Sequence, residues 1–107
     1  MSESERKKAI VDALAAMGVI AWVNHAGRVK VRGGYMNLSA AGTPDVIAIV
    51  RPSGRLLGLE VKDEKGRERP AQTAWAHGAR HSGAYVRTVR TPQEAVNAYH
   101  AAQAGDY

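Results

Sequence analysis

Two runs, Asp45-Val-Ile-Ala-Ile-Val50 and Leu56-Leu-Gly-Leu-Glu-Val-Lys62, joined by Arg51-Pro-Ser-Gly-Arg55, decide the fold. Both runs are short and apolar, and the connector is rich in turn residues, so the pair is expected to form an antiparallel hairpin at the centre of the molecule. Successive strand residues face opposite ways, which puts Glu60 and Lys62 on one face and sends Leu59 and Val61 to the core. If the chain reverses between Pro52 and Ser53, Asp45 stands directly opposite Glu60. A slip of one residue would turn Asp45 to the other face, so the arrangement depends on an even-length turn.

In that register two carboxylates and an ammonium converge. Adjacent carboxylates do not both ionise cheaply unless a cation sits between them, and a divalent metal resolves the conflict. Magnesium takes hard oxygen ligands, keeps several waters, and is commonly held by one or two carboxylates plus a substrate phosphate. Asp45 and Glu60 suffice for this, with the Val61 backbone carbonyl as a further candidate ligand. Such an ion polarises a phosphoryl oxygen and lowers the pKa of bound water. Lys62 has three possible roles: orienting that water, stabilising the developing charge, or accepting a proton if burial depresses its pKa; the first two rank highest.

Outward from the hairpin, Ser2 and Glu5 have capping-box spacing, and Ile10, Leu14 and Met17 follow at helical intervals before Gly18, which predicts a helix over 3–17. Residues 19–23 read as a strand, 24–27 as its turn, and Val29 and Val31 as part of a short polar-faced strand. From Gly33 to Pro44 the pattern predicts an irregular loop of functional length, with three roles open: wrapping a ligand, self-association or linkage. After a charged loop from Asp63 to Arg69, Pro70 opens a helix with Ala71, Trp75 and Ala79 on its apolar face. Tyr85 to Val89 alternates as a strand, and Thr91-Pro-Gln-Glu94 starts a last helix that fades by Gly105.

The expected architecture is α/β (α+β): a small central mixed sheet flanked by helices, in the order αβββαβα. The chain has 107 residues, 45% of them hydrophobic, and this is expected to make a single domain over 1–107 with one core. With no cysteine there is no disulfide framework and no thiolate chemistry. Neither a membrane span nor a signal peptide is read, so the cytoplasm is the expected compartment. Fifteen Lys plus Arg against ten Asp plus Glu leave a net charge of +5, which favours a polyanionic partner.

Lys30, Arg32, Arg51, Arg55, Lys65, Arg67 and Arg69 lie in loops or strand ends flanking the hairpin, as candidate phosphate grips. Tyr35, in a glycine-rich loop, has two readings that stand equal: stacking on an unpaired base, or simply covering the core. Trp22 and Trp75 read as core. His77 and His81 share one face of the predicted helix but lack the accompanying pattern of a zinc signature, and no Ser-His-Asp, Walker or dinucleotide motif competes.

The pattern Gly42-x-Pro-Asp45, Glu60-Val-Lys62 and Gln72 in a following helix resembles the PD-(D/E)xK nuclease superfamily. Within it, nearly the whole chain resembles the VRR-NUC family, which occurs as stand-alone phage and bacterial proteins and as domains of repair enzymes. The resemblance implies a restriction-endonuclease-like core and a metal-dependent DNA endonuclease, with Asp45 and Glu60 as ligands of Mg²⁺ or Mn²⁺. It also implies that Lys62 serves the attacking water and that Gln72 supports the site. The family adds an acidic residue from the first helix, where helical phase favours Glu3 over Glu5. By the same analogy the partner is DNA, including branched forms such as four-way junctions, the protein acts as a homodimer, and the setting is a bacterial or phage-infected cell. Two rival readings remain: a basic nucleic-acid-binding module with this fold but no chemistry, and an interaction protein whose Asp45, Glu60 and Lys62 form a surface ion cluster.

Overall fold

The protein is described from a computed structural model over residues 1–25, 28–38 and 40–105. Its elements are α1 (Glu3–Ala16), β1 (Ala21–Val23), β2 (Arg28–Val31), β3 (Gly34–Asn37), β4 (Val46–Ile49), β5 (Leu56–Val61), α2 (Pro70–His81), β6 (Tyr85–Val89) and α3 (Pro92–Gln103). The main sheet has the order β1-β4-β5-β6. β4 is antiparallel to both β1 and β5, and β6 runs parallel to β5, so the sheet is mixed. The β4–β5 register pairs Val46 with Leu59 and Ile49 with Leu56. Val50 N–H donates to the Arg55 carbonyl (2.9 Å), which closes an even-length turn over 51–54. Continued by one position, this register sets Asp45 against Glu60.

One face of the sheet carries the core. Val46, Ala48, Leu57, Leu59 and Val61 meet Ile10 and Leu14 of α1 and Ala95, Ala98, Tyr99 and Ala102 of α3. The alanines of α3 are small, which lets the helix lie close to the sheet and to α1. Each fully buried Leu, Ile or Val contributes roughly 1.5–3 kcal/mol. The buried Tyr99 hydroxyl accepts from Arg51 N–H (3.1 Å), so its polar end is satisfied. Both outer helices start where their caps require. Ser2 Oγ accepts from Glu5 N–H and Glu5 Oε1 from Ser2 N–H, each at 3.1 Å, while Thr91 Oγ1 accepts from Glu94 N–H at 3.1 Å. Among the described residues no helix is long and apolar enough to cross a membrane.

Three expectations need correction. Gly34–Asn37 is a strand paired with β2, not irregular loop. Gly33 and Gly34 adopt positive φ (90° and 150°), which gives the tight reversal that lets Tyr35 and Met36 pair back. The order therefore gains two strands ahead of the central hairpin. The turn expected over 24–27 lies partly outside the described residues, at 26 and 27. Trp22 is 45% exposed rather than core. It alternates away from the α1–α3 layer on edge strand β1, and on its face α2 packs over the distant β6. The buried face of α2 is also rotated from the expected Ala71-Trp75-Ala79 stripe: Ala76 is its buried residue, Gln72 lies one turn before it, and Ala71 is exposed. The helix turns a polar residue inward, which apolar periodicity cannot register.

Candidate active site

The strand alternation that buries Leu59 and Val61 turns Glu60 to the opposite face, where α2 covers it to 1% exposure. Its Oε2 accepts from Gln72 Nε2 (2.9 Å), and Gln72 Oε1 in turn accepts from Arg69 N–H (2.9 Å) at the start of α2. Gln72 therefore caps its helix with one end and fixes the glutamate with the other. Glu60 Oε1 is buried and has no hydrogen-bond partner. Burial, followed by the Asp45 carboxylate, pushes the Glu60 pKa from its ordinary 4.5 to about 7, with Lys62 pulling the other way.

Asp45 enters β4 directly after Pro44. Its Oδ2 accepts from Val61 N–H (2.7 Å), which anchors it across the hairpin, and Oδ1 faces Lys7 Nζ at 3.6 Å. Lys7 also reaches Glu3 Oε1 at 3.3 Å. Glu3, at the exposed start of α1, thus approaches Asp45 through a lysine rather than directly. Among the described residues no group of three His, Asp or Glu side chains converges on one point. The converging carboxylates are Asp45 and Glu60. Sequence reasoning misses Lys7, because in Arg6-Lys7-Lys8 it looks like solvated charge. The available signal is its helical phase, one turn after Glu3 and one before Ile10 on the buried face.

Glu3, Gly42, Asp45, Lys62, Arg69 and Gln72 line a cleft of about 360 Å³. An adjoining cleft of about 370 Å³ shares Glu3, Lys62 and Arg69 with it and adds Arg6, Asp63 and Arg67. Asp63 Oδ1 accepts from Lys65 N–H (2.9 Å) and Gly66 N–H (2.7 Å), which shapes the loop that presents Lys65, Arg67 and Arg69 and holds its carboxyl below the ordinary range. Lys30, Arg32 and Tyr35 lie on the β2–β3 ribbon. Arg51 and Arg55 lie elsewhere, at the far end of the hairpin, roughly 20 Å of strand from Asp45. Arg51 Nη2 donates to the Met17 carbonyl (3.2 Å) and Arg55 Nη1 to the Tyr85 hydroxyl (3.2 Å), so both brace the fold. Proximity in sequence to the hairpin misleads here, because its two ends are opposite ends of the sheet. His77 and His81 contact one another edge-to-face, with ring centroids 4.6 Å apart.

The donor set suits a hard divalent ion. A buried carboxylate oxygen without a partner beside a second carboxylate needs either a proton or a cation, and two carboxylates plus water are a customary Mg²⁺ environment. Glu60 and Asp45 are the residues that would hold it.

Gly42 positions α2 against this site. Its φ is +87°, and a Cβ there would run into the Ala71 carbonyl. Gly42→Ala is expected to cost about 1–3 kcal/mol through strain and overpacking, visible as a lowered Tm. An unchanged Tm would show that the helix start yields easily.

Fold and cleft together define a class: an α+β domain whose mixed sheet presents paired carboxylates and a lysine at one end, under a helix that supplies a glutamine. A solved structure described as a VRR_NUC domain superimposes with a TM-score of 0.61 and 24% identity, covering 89% of this chain and 90% of that one. The fold implied by the sequence resemblance is thus the fold found. No family model matches the sequence, and no curated protein does.

Proposed function

We propose that the protein is a metal-dependent DNA endonuclease that hydrolyses phosphodiester bonds. The observation that carries this reading is the buried, partnerless Glu60 Oε1 next to Asp45, which itself lines a cleft with Lys62 and Arg69; Arg67 lines the adjoining one. Mg²⁺ or Mn²⁺ held there by Asp45 and Glu60 supplies Lewis acidity at the phosphoryl oxygen and a more acidic water. The chain's own residues do the rest. Gln72 fixes the Glu60 carboxylate, and Val61 N–H fixes that of Asp45. Lys62 stabilises charge that builds on the phosphate, while its aliphatic stem packs on Gly66. Arg67 and Arg69 grip flanking phosphates. Lys7 lies between Asp45 Oδ1 (3.6 Å) and Glu3 Oε1 (3.3 Å) and balances the Asp45 charge on the side that faces α1. Val61 contributes through its backbone, and Glu3 through Lys7.

The likeness to a VRR_NUC domain and the net charge of +5 favour DNA as the substrate. A homodimer would bring two clefts to two strands of a branched substrate such as a four-way junction. The test is cleavage of linear, nicked, flapped and four-way DNA with and without Mg²⁺ or Mn²⁺, beside sedimentation of the protein. Cutting that requires the ion supports the proposal. Binding without cutting on every substrate would favour a module that keeps the fold and lacks the chemistry.

A further inference from the structure

Lys7 is not a solvated surface lysine. Its side chain is 20% exposed, against 77% for its neighbour Lys8. It shares the face of α1 that carries Ile10 and Leu14 into the core, so docking of the helix brings its stem to the sheet and leaves its head at the site. The ammonium stands between Asp45 Oδ1 at 3.6 Å and Glu3 Oε1 at 3.3 Å. Glu3 precedes it by one helical turn, the order that favours such a pair.

The oxygens of Asp45 and Glu60 are unequally served. Glu60 Oε2 accepts from Gln72, Asp45 Oδ2 accepts from Val61 N–H, and Asp45 Oδ1 faces Lys7, which leaves Glu60 Oε1 buried without a partner. The pair thus has one oxygen that calls for a cation. Sites that hold two ions, about 3.5–4 Å apart, need a further carboxylate on the far side of the shared one. Here the carboxylate on that side is Glu3, and between it and Asp45 Oδ1 lies an ammonium. Among the described residues Glu3 does not join Asp45 and Glu60 in one cluster.

We propose that Lys7 takes the place of a second metal ion, so that the site binds one divalent cation per chain and Glu3 is kept from ligating. This rests on the metal-dependent nuclease reading above and fixes its ion count. Lysine suits the place, because its ammonium is a compact charge on a flexible stem and has no lone pair with which to ligate a metal. A second dication would have to sit against Lys7 on one side and against Lys62 and Arg69, which line the cleft with Glu3 and Asp45, on the other. Like charges at such short range repel strongly. Lys7 is therefore a positioning residue that acts through Asp45 and Glu3.

The experiment counts the Mn²⁺ bound by the full chain at saturation, by equilibrium dialysis without DNA. Wild type is expected to hold about one ion per chain, and Lys7→Ala, which removes the ammonium at a helix-favouring residue, about two. Lys7→Arg keeps the charge and should match wild type. K7A/E3Q should return to the wild-type count, because the added ion needs Glu3. Paramagnetic resonance gives a second readout: two ions that share the Asp45 carboxylate are spin-coupled, whereas ions adventitiously bound at the surface are not. A lysine that merely braced α1 would move neither the count nor the coupling. If circular dichroism shows Lys7→Ala unfolded, Lys7→Gln carries the test, with the same expected gain. A coupled pair in wild type or in Lys7→Arg overturns the proposal, as does a single ion in the alanine or glutamine variant, or a coupled pair in K7A/E3Q. A wild type that binds no ion would overturn the metal reading and this inference with it, whereas a wild type that binds a pair would leave that reading standing.

Discussion

Glu60→Gln is expected to lower the rate of metal-dependent DNA cleavage about a thousandfold, and Asp45→Asn to do the same, while DNA binding stays within about threefold of wild type. The magnitude follows from losing several kcal/mol of charge stabilisation at the phosphate, at 1.36 kcal/mol for each factor of ten. Both substitutions preserve shape. In Asp45→Asn the new amide retains an oxygen for Val61 N–H, and in Glu60→Gln the new side chain still fills the space under α2, so a loss of rate is not a loss of fold. Lys62→Ala is expected to cost about 10²–10³ in rate, the range for removing one donor aimed at developing charge. Single-turnover cleavage beside gel-shift binding separates the effects. A Lys62→Ala protein that cuts at the wild-type rate would contradict the role assigned to that lysine.

The second large effect is on stability. In the folded chain Glu60 titrates near 7, against 4.5 ordinarily. Between those values the unfolded chain has released the proton and the folded chain retains it, so stability falls as pH rises through this window. Below about 4.5 the penalty is absent, and above about 7 it is complete, on the order of 3 kcal/mol. In EDTA, wild type should therefore lose Tm steadily from pH 5 to pH 8, whereas Glu60→Gln should lack that decline. A divalent ion should restore the wild-type Tm at pH 8, because binding to the folded state alone is stabilising. Identical pH profiles for the two proteins would mean that Glu60 is comfortable as a carboxylate without a cation.

Much of this arrangement is legible in the sequence, for specific reasons. The central hairpin can be read because aliphatic runs flank an even turn, and the register found, Val46 with Leu59, is the one that turn implies. Ser2 with Glu5 and Thr91 with Glu94 fix two helix starts through local bonds that depend on nothing distant. What escapes is set by tertiary contact. Whether Gln72 or Ala71 faces inward depends on what lies beneath α2, and beneath it is a glutamate. Trp22 has the composition of a core residue but stands on an edge strand. Lys7 acquires its place only once α1 docks beside Asp45. Arg51 and Arg55 adjoin the hairpin in sequence and lie at its far end in space.

Calorimetric titration of Mn²⁺ into the wild-type protein and into Glu60→Gln at pH 8 tests the paired-carboxylate site most directly. A saturable binding event in wild type, at least tenfold weaker or absent in the variant, is the expected result. Equal titrations for the two proteins, or no binding heat in either, would contradict the account.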